Sequence, residues 1–348
     1  MRLAWFAPTP DDVALELGRR HEVDLYDERR AHDFVWRHAR AAYDVTLFEL
    51  ADSPAHAYVW PYVFHYPGVV VLRATSLQRT RGLALQQRRH HLRAERAFAG
   101  PALLRIPLAA ARMVIVHDAA AAQELRNAYP DVDVRILPVG VTPPTVASPQ
   151  GAPRFHCVSS HPALVEQAAS RARDAGTPIE TTSGLNDLRA HDVVVALEWP
   201  PTGSAPIDAL RTMAAGLSTI VFETEAVAAW PTLDPQTWKP RGYLTATKQP
   251  IAISIDPRDE VHSLMLAMRR LSQDAGLRAR LGNAAQAWAR EQATVAIAAP
   301  AWEATLAEAM RMPPPATHEL PPHLLDDGTA AARAILREFD VSVDFLES

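Results

Sequence analysis

The sequence is poor in features that define whole classes of proteins. Its single cysteine, Cys157, excludes an intramolecular disulfide and a zinc site built from cysteines. Its 35 Lys and Arg residues against 40 Asp and Glu give a net charge of -5, which argues against a general nucleic-acid-binding protein. The apolar start is too short for a signal peptide, and no run approaches the roughly 20 apolar residues of a membrane span. We therefore expect a cytoplasmic protein.

Short catalytic signatures are missing as well. The sequence contains no zinc-ligand spacing, no Walker loop, no nucleophile elbow and no nicotinamide fingerprint. None of the metal and cofactor sites that these signatures define is therefore expected. Cys157 falls within a predicted buried strand, where we expect an inert core residue.

The length and the apolar pattern predict two α/β domains with a cleft between them. The chain has 348 residues, enough for two domains of about 150 residues each. Short, almost continuous apolar runs alternate with helical patterns, as is typical of doubly wound parallel sheets. The predicted ranges are 1–141 for an N-terminal domain, 142–153 for a Pro-rich linker, 154–311 for a C-terminal domain with closing helices, and 312–348 for a Pro-rich break and a tail helix.

Two residues at the end of a predicted strand are candidate catalytic residues. His117 and Asp118 follow the apolar run "MVIV", on the side where doubly wound sheets bind ligands. The alternative for Asp118 is that its carboxylate only caps the helix that follows.

A second candidate site lies in "LEWPPTGSAPIDALRTMAAG", where a strand leads into a helix. Thr202, Gly203 and Ser204 precede the helix, with Ser204 as its expected N-cap and Pro206 in its first turn. The free N–H groups and the positive dipole end of a helix start suit a diphosphate. The alternative is a simple turn and cap.

The segment 73–96 is strongly basic. It holds seven arginines and two histidines against one glutamate, which creates a local positive field on an acidic protein. Such a segment suits an anionic membrane surface, an acceptor phosphate or an acidic partner; the alternative is a solvated helix face.

Three segments together resemble one enzyme family. Residues 191–223, which include the strand–turn–helix quoted above, are similar to the donor-site segment of family-4-like glycosyltransferases, and residues 43–72 and 112–141 resemble the second half of that family's N-terminal domain. The resemblance implies the GT-B fold, in which two Rossmann-like domains face a cleft. It also implies retaining, metal-independent transfer from a nucleotide sugar held by the C-terminal domain.

The donor segment departs from the family pattern at its carboxylates. Arg211 and Gly203 stand where the family has two glutamates, and an arginine cannot accept hydrogen bonds from ribose hydroxyls. In some relatives the loop glutamate falls at Ser204. Asp208 and Glu198 remain as nearby carboxylates, and Asp208 lies at helical spacing for an ion pair with Arg211.

Other expected parts of the site are also altered. The turn after the first strand has no glycine, and Arg73 stands where the family has a histidine at the bottom of the cleft. Ser159, Ser160 and His161 replace an arginine and a lysine that would stabilise the leaving diphosphate. On the acceptor side, His56 would orient a hydroxyl; the alternative is a partly buried histidine beside aromatic residues. The candidate donor-binding residues are Thr202, Gly203, Ser204, Asp208, Arg211, Glu198 and His161, and the candidate catalytic residues are Arg73, His117 and Asp118.

Three functions are compatible with this pattern. The first is a glycosyltransferase, in which positioning and charge stabilisation accelerate transfer and the diphosphate takes the acceptor proton. The second is a catalytically silent GT-B protein that binds a sugar, a nucleotide or another subunit. A peripheral scaffold acting through the basic segment 73–96 is a third reading.

Overall fold

The first six apolar runs form a parallel sheet. Their valine-rich, β-branched composition suits strands covered on both faces, and the fourth and fifth strands are completely buried. The strands are β1 (Arg2–Phe6), β2 (Glu22–Tyr26), β3 (Val45–Leu50), β4 (Val69–Leu72), β5 (Met113–Val116) and β6 (Val134–Ile136), in the order β2-β1-β3-β4-β5-β6. The helices of this part are α1 (Asp12–Leu17), α2 (Asp33–Arg40), α3 (Trp60–His65), α4 (Arg105–Ala110) and α5 (Ala119–Ala128), with a 3-10 turn at Pro54–Val59.

A second, seven-stranded sheet follows. Its strands are β7 (Arg154–Cys157), β8 (Glu180–Ser183), β9 (Val193–Ala196), β10 (Ser218–Phe222), β11 (Thr232–Leu233), β12 (Pro240–Arg241) and β13 (Ala252–Ile255), in the order β12-β11-β13-β10-β9-β7-β8. Only the pairing of β11 with β12 is antiparallel among the described strand pairs of this sheet. The helices are α6 (Pro162–Asp174), α7 (Ile207–Ala214), α8 (Glu260–Gln273), α9 (Ala275–Gln292), α10 (Val295–Ala309) and α11 (Ala330–Glu338).

This computed structural model describes residues 1–81, 100, 102–199, 206–241, 249–315, 320–321 and 330–340. The predicted α/β class with two doubly wound domains is confirmed. In each sheet the strand order reverses beside the first strand, between β1 and β3 and between β7 and β9. Ligands of such sheets bind outside the carboxyl ends of the strands at these reversal points.

The last long helix completes the core of the first domain. Trp302 of α10 stacks on Trp5 of β1 with ring centroids 5.3 Å apart, and its Nε1 donates to the carbonyl of Pro138 at 2.9 Å. Leu306 is buried in the same cluster. Helix α10 falls in the range 154–311 of the predicted C-terminal domain, yet it packs on β1 and α1. The four predicted ranges themselves stay predictions.

The chain passes between the two domains twice, near Val141 and near Ala293, and these two crossover segments lie side by side. Val141 donates its N–H to the carbonyl of Ala293 at 2.7 Å and forms a bridge with Thr294. Gly140 has a φ of +72°, and a Cβ there would lie 2.2 Å from Cγ2 of Val13. Only glycine therefore fits this crossover without strain.

Within the described residues, no helix is both long enough and apolar enough to cross a membrane.

Candidate functional site

A cavity of about 540 Å³ lies between the carboxyl ends of the two sheets. The first domain contributes the loop after β4, with Thr75 and Ser76, and Asp52 after β3. The second domain contributes Trp199 after β9 and the segment 223–228 after β10. Each reversal point contributes one of its two strands to the lining, β3 through Asp52 and β9 through Trp199, so the cavity lies next to the positions at which a doubly wound fold is expected to bind a ligand.

A buried charged cluster lies at the carboxyl-terminal edge of the first sheet, where its strands end. Arg73, which follows β4, is 6% exposed, and its Nη2 donates to Oδ2 of Asp11 at 2.8 Å and to Oε2 of Glu49 at 3.1 Å. Asp11 lies in the turn after β1 and caps α1 by accepting the N–H of Ala14 at 2.7 Å. Glu49 lies on β3. Three neighbouring strands thus direct these groups to one point.

The two carboxylates of the cluster have opposite pKa shifts. Burial raises the pKa of Asp11 to about 6, even though Arg73 opposes the shift. Burial also acts to raise the pKa of Glu49, but Arg73 and His56 outweigh it and bring the value down to about 2. One guanidinium therefore neutralises Glu49, while Asp11 retains a proton more readily than an ordinary aspartate.

His56 and His117 complete this edge. His56 lies in the 3-10 turn after β3, is 8% exposed, and has its Nε2 3.5 Å from Oε1 of Glu49. The register of β4 and β5, in which Val71 pairs with Ile115, places Arg73 beside His117 two residues further on. The candidates Arg73, His56 and His117 are therefore brought together.

His117 is a neutral imidazole. Burial, and after it the charge of Arg73, lowers its pKa to about 3. Its Nδ1 donates to the carbonyl of Leu137 at 2.9 Å, since a carbonyl can only accept. Its buried Nε2 is therefore an acceptor, and it has no hydrogen-bond partner among the described residues.

The carboxylate of Asp118 bonds to the backbone of the following helix rather than to the charged cluster. Its Oδ1 accepts the N–H of Ala121 at 2.7 Å, which caps α5. The capping alternative for this carboxylate is therefore what the structure shows.

The edge of the second sheet is held by hydrogen bonds between its own loops. The hydroxyls of Ser159 and Ser160 donate to the carbonyls of Leu197 and Trp199 at 2.9 and 3.3 Å. His161 also donates through Nε2 to the Trp199 carbonyl at 2.9 Å. The polar side chains of the loop after β7 are thus engaged with the loop after β9. Glu198 lies in that second loop and is half-buried.

Arg211 on α7 is paired with two aspartates. Its Nε and Nη2 donate to Oδ2 and Oδ1 of Asp12 at 3.3 and 3.1 Å, across the cleft. Its Nη1 lies 3.6 Å from Oδ1 of Asp208, which confirms the expected pair at helical spacing.

The predicted start of α7 is wrong by two residues. The structure places the N-cap at Pro206, whose extended ψ of 115° and carbonyl bond to the N–H of Leu210 begin the helix, so Ser204 is not the N-cap. Because Pro206 precedes the first turn, it removes no N–H from that turn. Thr202, Gly203 and Ser204 lie outside the described residues.

The basic segment 73–96 is described only up to Arg81. Arg73 is buried, so it contributes no surface charge, and the guanidinium of Arg81 lies over the ring of Trp60 at 4.8 Å. The rest of the segment lies outside the described residues. Its membrane or partner role stays a prediction.

Sequence reasoning missed three carboxylates of the site, Asp11, Asp12 and Glu49. Asp11 and Asp12 stand in "PTPDDV" directly after the first strand, at a reversal point of the sheet. That position was the available signal. Glu49 lies inside the apolar run "VTLFEL", whose pattern predicts only a strand. The described part of the chain shows no group of three or more His, Cys, Asp or Glu that would hold a metal ion.

Two Rossmann-like sheets that face a cleft, with a last helix that returns to the first domain, define the GT-B class of folds, and comparison with solved structures supports this assignment. HepE from Anabaena, solved with UDP-glucose, superimposes with a TM-score of 0.53 and 11% identity over 88% of this chain and all of its own. WaaG, a glycosyltransferase of lipopolysaccharide biosynthesis, gives 0.50 and 13% identity over 87% of this chain and 99% of its own.

Other comparisons add little. TarM gives a TM-score of 0.49 with 9% identity, and this chain spans only 57% of its length. No protein-family model and no curated protein sequence matches the chain. At these identities the likeness shows the GT-B fold.

Proposed function

We propose that the protein binds a nucleotide sugar in the cleft and transfers the sugar, with retention and without a metal, to an acceptor hydroxyl. The observation that carries the proposal is the cavity of about 540 Å³ that both domains line at the carboxyl ends of their sheets. HepE, which shares the fold, was solved with UDP-glucose.

The described lining suits a sugar. Trp199 is 45% exposed and offers an aromatic face, while Thr75, Ser76 and Glu225 offer groups that bond hydroxyls. The first turn of α7 provides N–H groups on the donor side for a phosphate. In this proposal the diphosphate itself takes the acceptor proton, so that the buried, neutral His117 is not required as a strong base.

A catalytically silent GT-B protein is the second candidate, and a specific observation favours it. Arg73 is bound to two carboxylates and Arg211 to two others. The loop of Ser159 to His161 is bonded to carbonyls of its own domain. A leaving diphosphate needs preorganised positive groups or donors, and these candidates are already engaged.

Calorimetric titration with UDP-, GDP- and ADP-glucose, followed by an assay of sugar release from any binder, separates the two candidates. Binding with turnover supports the transferase. Binding without turnover supports the silent protein. Absence of binding across the panel overturns both nucleotide-sugar readings.

Two exposed tryptophans provide a matched pair for this titration. Trp199→Ala removes an aromatic ring from the cavity and should weaken binding about tenfold. Trp36→Ala removes a ring that is 72% exposed on α2 and does not line the cavity, so affinity should not change. Equal affinities in the two variants would place the ligand elsewhere.

A further inference from the structure

The pair of Asp12 and Arg211 joins the two domains directly. Asp12 is the first residue of α1 in the N-terminal domain, and Arg211 lies in α7 of the C-terminal domain. Two parallel N–H···O contacts, at 3.1 and 3.3 Å, give the bidentate fork that arginine forms with a carboxylate. The side chains are 15% and 33% exposed, so salt screens the pair less than a surface pair.

The same carboxylate also holds the crossover between the domains. The N–H of Thr142 donates to Oδ2 of Asp12 at 2.8 Å. Thr142 directly follows Gly140 and Val141, the positive-φ glycine and the bridging residue of the crossover. Asp12 thus fixes the position of α7 and of the chain segment about which the two domains would rotate.

Asp208 does not substitute for Asp12 in this arrangement. It lies on α7 itself, three residues before Arg211, and contacts a different nitrogen of the guanidinium at 3.6 Å. It therefore orients the guanidinium from within the same helix. The link between the domains depends on Asp12.

We propose that Asp12 and Arg211 form a latch that holds the two domains closed across the cleft. Domains of one chain move relative to each other unless a large or specific interface restrains them. A bidentate pair restrains rotation, because its two parallel contacts fix the orientation of the guanidinium relative to the carboxylate. The latch does not depend on the proposed transferase function.

Pulsed electron paramagnetic resonance on the full chain tests the latch. Spin labels are placed at Trp36→Cys and Arg258→Cys, one exposed position in each domain, in a Cys157→Ala background. We expect Asp12→Asn and Arg211→Gln each to add a population at a changed, broader interdomain distance and to lower the closed-to-open ratio roughly three- to fivefold. The two variants alter opposite domains, so a folding defect in one leaves the other informative.

The matched control breaks an ion pair inside one domain. Arg173→Gln removes the contact between Arg173 of α6 and Glu166, and it should leave the distance distribution unchanged. If Asp12→Asn and Arg211→Gln also leave the distribution unchanged, the pair is not a latch. If Arg173→Gln changes the distribution as much as they do, the effect is not specific to the pair, and the proposal fails as well.

Discussion

The two sheet edges that face the cleft are stabilised by different interactions. At the first edge, the buried guanidinium of Arg73 pairs with the buried carboxyl groups of Asp11 and Glu49. At the second edge, Ser159, Ser160 and His161 are neutral donors to carbonyls of the neighbouring loop. Arg211 of the second domain is charged but partly exposed, with 33% of its side chain accessible.

This contrast indicates which of the two edges is more sensitive to substitution. A buried ion cluster loses much stability when one member is removed, because the remaining charges stay desolvated. A neutral loop-to-loop hydrogen bond contributes only about 1 kcal/mol net. The first edge is therefore expected to tolerate substitution far less than the second, although both lie at equivalent points of similar sheets.

Arg73→Met should lower the free energy of unfolding more than the other substitutions below. The substitution keeps the bulk of the side chain but leaves Asp11 and Glu49 buried without a counter-charge. We expect a loss of about 3–5 kcal/mol in the free energy of unfolding, measured by urea denaturation at pH 7.

Arg258→Met is the control for that experiment. Arg258 pairs with Asp256 but is 89% exposed, so its loss should not shift the urea midpoint. Similar losses for both variants would show that the buried cluster is no more important than a surface pair.

The second prediction concerns the pH dependence of stability in Asp11→Asn. The new amide oxygen can still accept the N–H of Ala14 that caps α1. Because folding raises the pKa of Asp11 from 3.8 to about 6, the folded protein binds this proton more tightly than the unfolded chain. The contribution of Asp11 to stability is complete below pH 3.8 and is lost as the pH rises through 6. The difference in unfolding free energy between Asp11→Asn and wild type should therefore change by roughly 2–3 kcal/mol in favour of the variant as the pH rises from 4 to 7.

Urea denaturation at several pH values in this range checks the prediction. The comparison is made variant against wild type at each pH, because the depressed pKa of His117 acts in the opposite direction over part of the window and is common to both proteins. Parallel stability curves for the two proteins would contradict the shifted pKa.

The smallest effect is expected at the second edge, from Ser159→Ala. Its hydroxyl donates to the Leu197 carbonyl and accepts the N–H of His161, both at 2.9 Å. Loss of these neutral bonds should lower the free energy of unfolding by about 1 kcal/mol. A loss as large as that of Arg73→Met would remove the contrast between the two edges.

The sequence predicts the sheets well because their strands are long enough to carry an apolar signal. The run "MVIV" of β5 is buried along its whole length, whereas β11 and β12 have two residues each and no pattern to detect. The site is predicted less completely. The position of Arg73 follows from the end of its strand, but its partners Asp11 and Glu49 lie 62 and 24 residues away, and only the folded sheet brings them together.

The start of α7 shows another limit of prediction. Ser204 has the side chain that caps helices best, but Pro206 has the fixed φ and the carbonyl that begin this helix. Side-chain preference and backbone constraint favoured different residues, and the backbone constraint decided the N-cap position.

The return of α10 to the first domain has a consequence for synthesis. Trp5 and its neighbours in the first sheet are covered by α1 and by Trp302 and Leu306 of α10. A ribosome that adds roughly 5–20 residues per second needs on the order of 10 to 30 s to proceed from the crossover at residue 141 to the end of α10 at residue 309. During that interval one face of the first sheet is not yet covered by α10. Folding of the first domain is therefore completed only after most of the second domain has been synthesised.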